Sequence, residues 1–184
     1  GYSLLSDRYD LNRVSSTAVL TRSSSNDRPK NMVLFGGMNY SMDTLEMKEL
    51  AMTAGSDLYS RGLPPDLERG GETWSNLPGT LQEVQNIGAL AKENDIQVTT
   101  HTGNEALEER FKVLGGNSPD IVHLATHGFF YPDPEKQKRD GIMIGNQGSR
   151  FKLSDDPLYR AGILFSGANA YWNGQDVPDG IDNG

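Results

Sequence analysis

Apolar positions are sparse along this chain, and they gather into a few short runs. The first clear one is Met32-Val33-Leu34-Phe35, closed by Gly36-Gly37. A continuous apolar run of this length with glycine punctuation predicts a strand buried on both faces of a parallel sheet. Leu45, Met47, Leu50 and Met52 predict a short helix. From Thr80 the pattern becomes regular. Thr80-Leu81-Gln82-Glu83 has the spacing of a capping box, and Val84, Ile87 and Ala91 follow as an apolar helical stripe. Ile96-Gln97-Val98-Thr99-Thr100 is a β-branched run that predicts a strand. Thr102-Gly103-Asn104-Glu105 repeats the capping-box spacing. Leu107, Phe111 and Leu114 form the next stripe, which Gly115-Gly116-Asn117-Ser118-Pro119 stops. Ile121 to Ala125 predicts another strand, and Gly162-Ile163-Leu164-Phe165-Ser166 predicts a further buried one.

Strand and helix therefore alternate. That order predicts an α/β fold, a parallel sheet with flanking helices joined by right-handed crossovers. The polar break Ser23-Ser24-Ser25-Asn26-Asp27-Arg28-Pro29 separates two parts. Residues 1–30 form a lead-in, where Leu11, Val14 and Ala18-Val19-Leu20 predict an edge strand or hairpin. Residues 31–184 form the main domain. Within it, 39–76 is mostly loop, and a loop of that length is either functional or disordered. Tyr131 to Asp140 reads as a charged loop, Ile142-Met143-Ile144 as a small strand or hairpin, and Gly174 to Gly184 as a mobile tail.

Composition narrows the function. At 184 residues one domain is expected, large enough for a real core. With 35% hydrophobic residues and 21 glycines, that core carries long polar insertions. A net charge of −8 argues against a nucleic-acid partner, which needs a basic face. No apolar run is long enough to span a bilayer and no signal-peptide pattern opens the chain, so a cytoplasmic location without membrane contact is expected. The absence of cysteine excludes disulfides and thiolate metal sites. Neither a dinucleotide nor a phosphate-loop glycine motif occurs, and no cofactor is expected. The histidines are not spaced for zinc, and Asp155-Asp156 with Asp176, Asp179 and Asp182 follow no calcium-loop order, so no metal is expected either.

Three histidines carry the candidate chemistry. His101 closes a strand and reads as a loop or capping residue. His123 lies within a strand, on the face of Ile121, and reads as a packed, hydrogen-bonded side chain. His127 differs, because it follows the end of the Ile121–Ala125 strand, where chemistry gathers in open α/β sheets. Gly128 beside it has no side chain to keep a substrate backbone away, and its N–H can face a carbonyl oxygen that gains charge. A general base next to an oxyanion donor is half of an acyl-transfer site. Alternatively, Gly128 only permits a turn. Phe129-Phe130-Tyr131 reads as a hydrophobic plug or a pocket wall. Phe129, with Ser166 and Gly167 at the end of the last strand, completes the candidate substrate contacts. No nucleophile elbow surrounds Ser166.

Taken in order, three pieces resemble the CHAT domain, a caspase-like module often found behind TPR repeats. They are Leu77-Pro78-Gly79-Thr80 with Glu83-Val84 and Ile87, His123-Leu124-Ala125-Thr126-His127-Gly128-Phe129-Phe130, and Leu164-Phe165-Ser166-Gly167-Ala168-Asn169. The resemblance implies a three-layer α/β/α fold and a cysteine endopeptidase of bacterial, TPR-associated type acting on a protein or peptide substrate. It implies that His127 belongs to a Cys-His dyad and that Gly128 supplies the oxyanion amide. The family's cysteine ends a following strand, beyond the Ile181-Asp182-Asn183-Gly184 terminus. By that comparison the sheet is incomplete on its C-terminal side, and the chain alone is inactive. A cleaved or separate C-terminal fragment carrying the cysteine, a truncated piece, and a non-catalytic protein-binding or regulatory module all remain open. Arg61-Gly62 and Arg69-Gly70 are candidate self-cleavage or regulatory positions.

Overall fold

The structure is a computed structural model that describes residues 28–54, 73–131, 133 and 157–175. The N-terminal lead-in before residue 28, both Arg-Gly positions, the Ile142–Ile144 segment and the tail after residue 175 lie outside the described residues.

Three parallel strands form the sheet. β1 (Asn31–Met38) lies at the centre. β2 (Gln97–Gly103) pairs from Asn31↔Gln97, and β3 (Ile121–Ala125) from Met32↔Ile121 to Gly36↔Ala125. The parallel α/β fold expected from the alternation of elements is what the chain adopts. β1 is buried on both faces, as its unbroken apolar run demands. Met32 and Leu34 pack with Val84 and Ala91 on one side. Val33 and Phe35 pack with Leu164, Phe165 and Phe111 on the other. Leu34 and Phe35 are fully buried, each contributing about 1.5–3 kcal/mol of hydrophobic stabilisation.

Helices cover both faces. α1 (Thr44–Thr53) is capped by Asp43, whose carboxylate accepts the Leu45 and Glu46 amides. Met47 and Ala51, one turn apart, face inward, while Leu45 and Met52 stay exposed. α2 (Pro78–Glu93) lays the predicted Val84-Ile87-Ala91 stripe on the sheet. Its start differs from the capping box. Leu77 is the cap, Pro78 opens the helix, and Thr80 Oγ1 donates to Leu77 O while accepting the Gly37 amide. The fixed φ of proline suits a first helical position better than a threonine two residues later. The second predicted box also fails. β2 runs on to Gly103, and α3 (Glu108–Lys112) begins after Leu107 without a side-chain cap.

The last predicted strand, 162–166, is corrected most. β5 (Ala161–Ile163) pairs antiparallel with β4 (Gly128–Phe130) in a separate two-stranded sheet. A short 3-10 helix (Pro157–Arg160) leads into it, and α4 (Ala168–Trp172) follows. Leu164 to Ser166 are buried as expected, but as a crossing segment outside the sheet.

At the amino ends of the strands, Asp120 Oδ2 accepts the Lys30 and Asn31 amides, and Asn31 Oδ1 accepts the Asp120 amide. Those bonds favour the carboxylate and hold Asp120 below its ordinary pKa. His123 is paired with Glu83 Oε1 at 2.9 Å, tying β3 to α2. His101 lies within β2 rather than in a loop, and its ring sits 4.9 Å from that of Phe35. Burial lowers its pKa, Arg110 lowers it further, and Glu105 opposes both.

Two glycines at the α2–β1 contact make opposite predictions. A Cβ on Gly36 meets Val84 Cγ1 at 2.7 Å and the Thr80 carbonyl at 2.8 Å, and backbone cannot yield. Gly36→Ala is expected to destabilise by about 1–3 kcal/mol in urea unfolding. Gly88 sits mid-helix, with Leu34 Cδ1 at an ordinary 3.4 Å, so Gly88→Ala is expected to be neutral or to stabilise by up to about 1 kcal/mol. His101 generates a pH prediction. Its folded pKa is depressed, so the unfolded chain binds the proton more tightly and stability falls as pH drops below about 6.5. His101→Phe keeps the ring against Phe35 and is expected to flatten that part of the stability–pH curve; an unchanged slope refutes the assignment.

Candidate active site

The carboxyl ends of the parallel strands open onto a common region. β1 runs out into Asn39-Tyr40-Ser41, β2 into Asn104, and β3 into Thr126-His127. Residues 164–169 cross all three ends. Leu164 N–H donates to His127 O, Ser166 N–H to Ala106 O, Gly167 N–H to Asn39 O, and Asn169 N–H to Tyr40 O, each within 2.9–3.0 Å. Gly167 makes the turn with φ +88, and a Cβ there would lie 2.5 Å from Met47 Sδ, so any side chain would be strained and would push Met47 aside.

His127 is held at both backbone and ring. Thr126 Oγ1 donates its proton to Leu164 O, and therefore accepts from the Tyr40 hydroxyl at 2.8 Å. Tyr40 oxygen in turn accepts the His127 N–H at 3.3 Å. The order of donors along Tyr40 and Thr126 is thereby determined. At the ring, Nε2 lies 2.9 Å from the Ser75 carbonyl oxygen. A carbonyl only accepts, so Nε2 carries the hydrogen and the neutral ring keeps its lone pair on Nδ1. Tyr40 and Trp74 flank the imidazole at 5.2 and 5.0 Å between centroids.

Gly128 is exposed, and its N–H direction follows from the ladder. His127 with Leu164 and Tyr131 with Arg160 are hydrogen-bonded pairs, and bonding alternates along an antiparallel pair. Gly128 opposite Ile163 is thus a non-bonded pair, and its N–H points away from β5. Phe129 faces inward, 5.3 Å from the Trp172 ring and 5.4 Å from that of Tyr131, while Phe130 is largely exposed. Ser166 is fully buried, with its hydroxyl donated to Gly103 O at 2.5 Å. The structure therefore brings His127, Gly128 and Phe129 together at an accessible surface. It places Ser166 and Gly167 beneath that surface, in the crossing segment.

Four residues of this region were not predicted from sequence as functional. Ser75 supplies the carbonyl to His127. Trp74 walls the ring and stacks edge-on against Trp172. Tyr40 holds the His127 amide. Asn169 is buried, with Oδ1 accepting the Trp74 amide at 2.8 Å and Nδ2 donating to Trp74 O at 2.9 Å and Ser41 Oγ at 2.8 Å. No local pattern marks such partners, which lie up to 128 positions apart. Among the described residues no group of three or more His, Asp or Glu could hold a metal ion, and no helix is long and apolar enough to cross a membrane.

Residues 2–166 match the family model of the CHAT domain. The chain belongs to the CHAT family. The match takes in the lead-in, the sheet, the His-Gly segment and the crossing segment as far as Ser166. CHAT domains are caspase-like modules related to cysteine peptidases. No curated protein and no solved structure matches the chain.

The donor chain predicts an effect for Tyr40. Tyr40→Phe leaves the His127 amide without its acceptor and removes a donor from Thr126. The expected destabilisation is about 1–3 kcal/mol, read by chemical unfolding.

Proposed function

We propose that this CHAT domain is the base-bearing part of a cysteine endopeptidase, with His127 as general base and Gly128 N–H as an oxyanion donor. The observation that supports this best is the Ser75 carbonyl on His127 Nε2, which leaves Nδ1 as the free base at the carboxyl end of β3. The chain has no cysteine, so the thiol comes from a segment outside these 184 residues. A C-terminal fragment and upstream TPR repeats are the proposed partners, and the cytoplasm the proposed site of action.

The steps follow from these positions. The thiol passes its proton to Nδ1, and the thiolate attacks the scissile carbonyl. Charge on the carbonyl oxygen is met by the Gly128 N–H, which points away from β5. His127 then protonates the leaving amine, and water releases the acyl group by the reverse path. A main-chain carbonyl is enough to orient this base. A thiol ionises far more readily than a hydroxyl, so it asks less of its partner. Phe129, packed against Trp172, shapes the wall beside the reacting carbon. Ser166 and Gly167 act on substrate only through the segment they hold.

The second reading is a binding or regulatory module without catalysis, favoured by the absence of any cysteine in the chain. One experiment separates the two. In the full-length protein, a cysteine-directed activity probe is expected to label one site, and His127→Ala to lower that labelling and peptide cleavage at least about a hundredfold, the usual weight of a general base. Unchanged cleavage by a folded His127→Ala protein would sink the peptidase assignment to this histidine, and no labelling at all supports the binding module.

A further inference from the structure

We infer that Asn169 is a positioning residue for the His127 imidazole, an inference that rests on His127 acting as the base. Two constraints hold His127, and both lead back to this one buried side chain and its backbone. The amide of His127 is held by the Tyr40 hydroxyl, and the Tyr40 carbonyl accepts the Asn169 N–H at 2.9 Å. The ring is held by the Ser75 carbonyl, and the preceding residue, Trp74, is gripped by the Asn169 carboxamide.

The grip has two points. Oδ1 takes the Trp74 N–H and Nδ2 gives to the Trp74 carbonyl, so the carboxamide stands in for a paired strand. Residues 73–77 form no helix or strand, and Thr73, Ser75 and Asn76 are exposed. Their position over the site depends on this grip, on the Trp74 ring between His127 and Trp172, and on the start of α2 at Pro78. The second hydrogen of Nδ2 goes to Ser41, so the amide nitrogen is fully used. Asn169 is 3% exposed, too deep to meet a substrate. Its effect passes through the Ser75 carbonyl, which orients the ring and selects the Nε2–H tautomer.

The full-length protein is tested with three variants, Asn169→Ala, Asn169→Asp and Ser41→Ala. A fluorogenic peptide library reads cleavage, and selective 15N-histidine NMR reads the His127 tautomer. Asn169→Asp keeps the size and the acceptor but loses the donors. For both Asn169 variants kcat is expected to fall at least about tenfold with KM nearly unchanged, since a misplaced catalytic group costs rate rather than binding. The Nε2–H tautomer is expected to lose its dominance. Ser41→Ala leaves the grip on Trp74 intact and is expected to stay within about twofold of wild type. Wild-type kcat and tautomer in either folded Asn169 variant overturn the inference. Unfolding of both variants overturns it too, since Asn169 is then a determinant of the fold. If His127→Ala keeps full activity, the base assignment fails separately, and the NMR readout still decides whether Asn169 sets the ring.

Discussion

The carboxyl end of the sheet is organised by one crossing segment, residues 164–169. Its amides bond in turn to the exits of β3, β2 and β1, through His127, Ala106, and Asn39 with Tyr40. Parallel strands leave their exit loops without partners from the ladder, and buried backbone groups must find them elsewhere. Here one short stretch supplies a partner to each of the three exits. The side chains of Leu164 and Phe165 are buried at the same time, so the segment is core and connector together. The relative placement of three loops, and of any chemistry on them, is thereby reduced to the conformation of six residues.

Much of this was legible in the chain. β1 was marked by the unbroken apolar run that a strand buried on both faces requires, β3 by a short run of strand-forming residues, and His127 by its place just past the end of that run. The α2 stripe was legible because a helix on a sheet repeats its apolar face. The crossing segment was misread for a physical reason. Ile163-Leu164-Phe165 is as apolar as β1, and periodicity cannot tell a buried strand from buried chain that bonds to loop ends. The capping boxes misled because a threonine hydroxyl can serve a distant amide as well as its own helix. Thr80 serves Gly37. Trp74, Ser75 and Asn169 were illegible for a simpler reason. Their roles arise between segments far apart in the chain, and nothing next to them in sequence announces it.

Among the described residues, no carboxylate orients His127. Among the charged side chains, Glu83 is paired with His123, and Glu105 lies near Arg110 and His101. The imidazole at the exit of β3 instead meets a main-chain carbonyl and two aromatic rings. Such a setting fixes direction strongly and charge weakly. It suits a base whose partner is already acidic, and it would serve a serine hydroxyl poorly. The buried, fully committed hydroxyl of Ser166 fits the same picture.

The clamp between Asn31 and Asp120 lies at the opposite end of the sheet, yet it reaches the site. β3 is five residues long, and its partner β1 offers equivalent bonds at every second step. A two-residue slip would carry His127 about 6.6 Å along the strand and past Tyr40, at about 3.3 Å per residue. A one-residue slip would turn it to the other face. The reciprocal bonds of Asn31 and Asp120 admit only one alignment. They work as the zero mark of a ruler, from which the position of the imidazole is measured out along the strand.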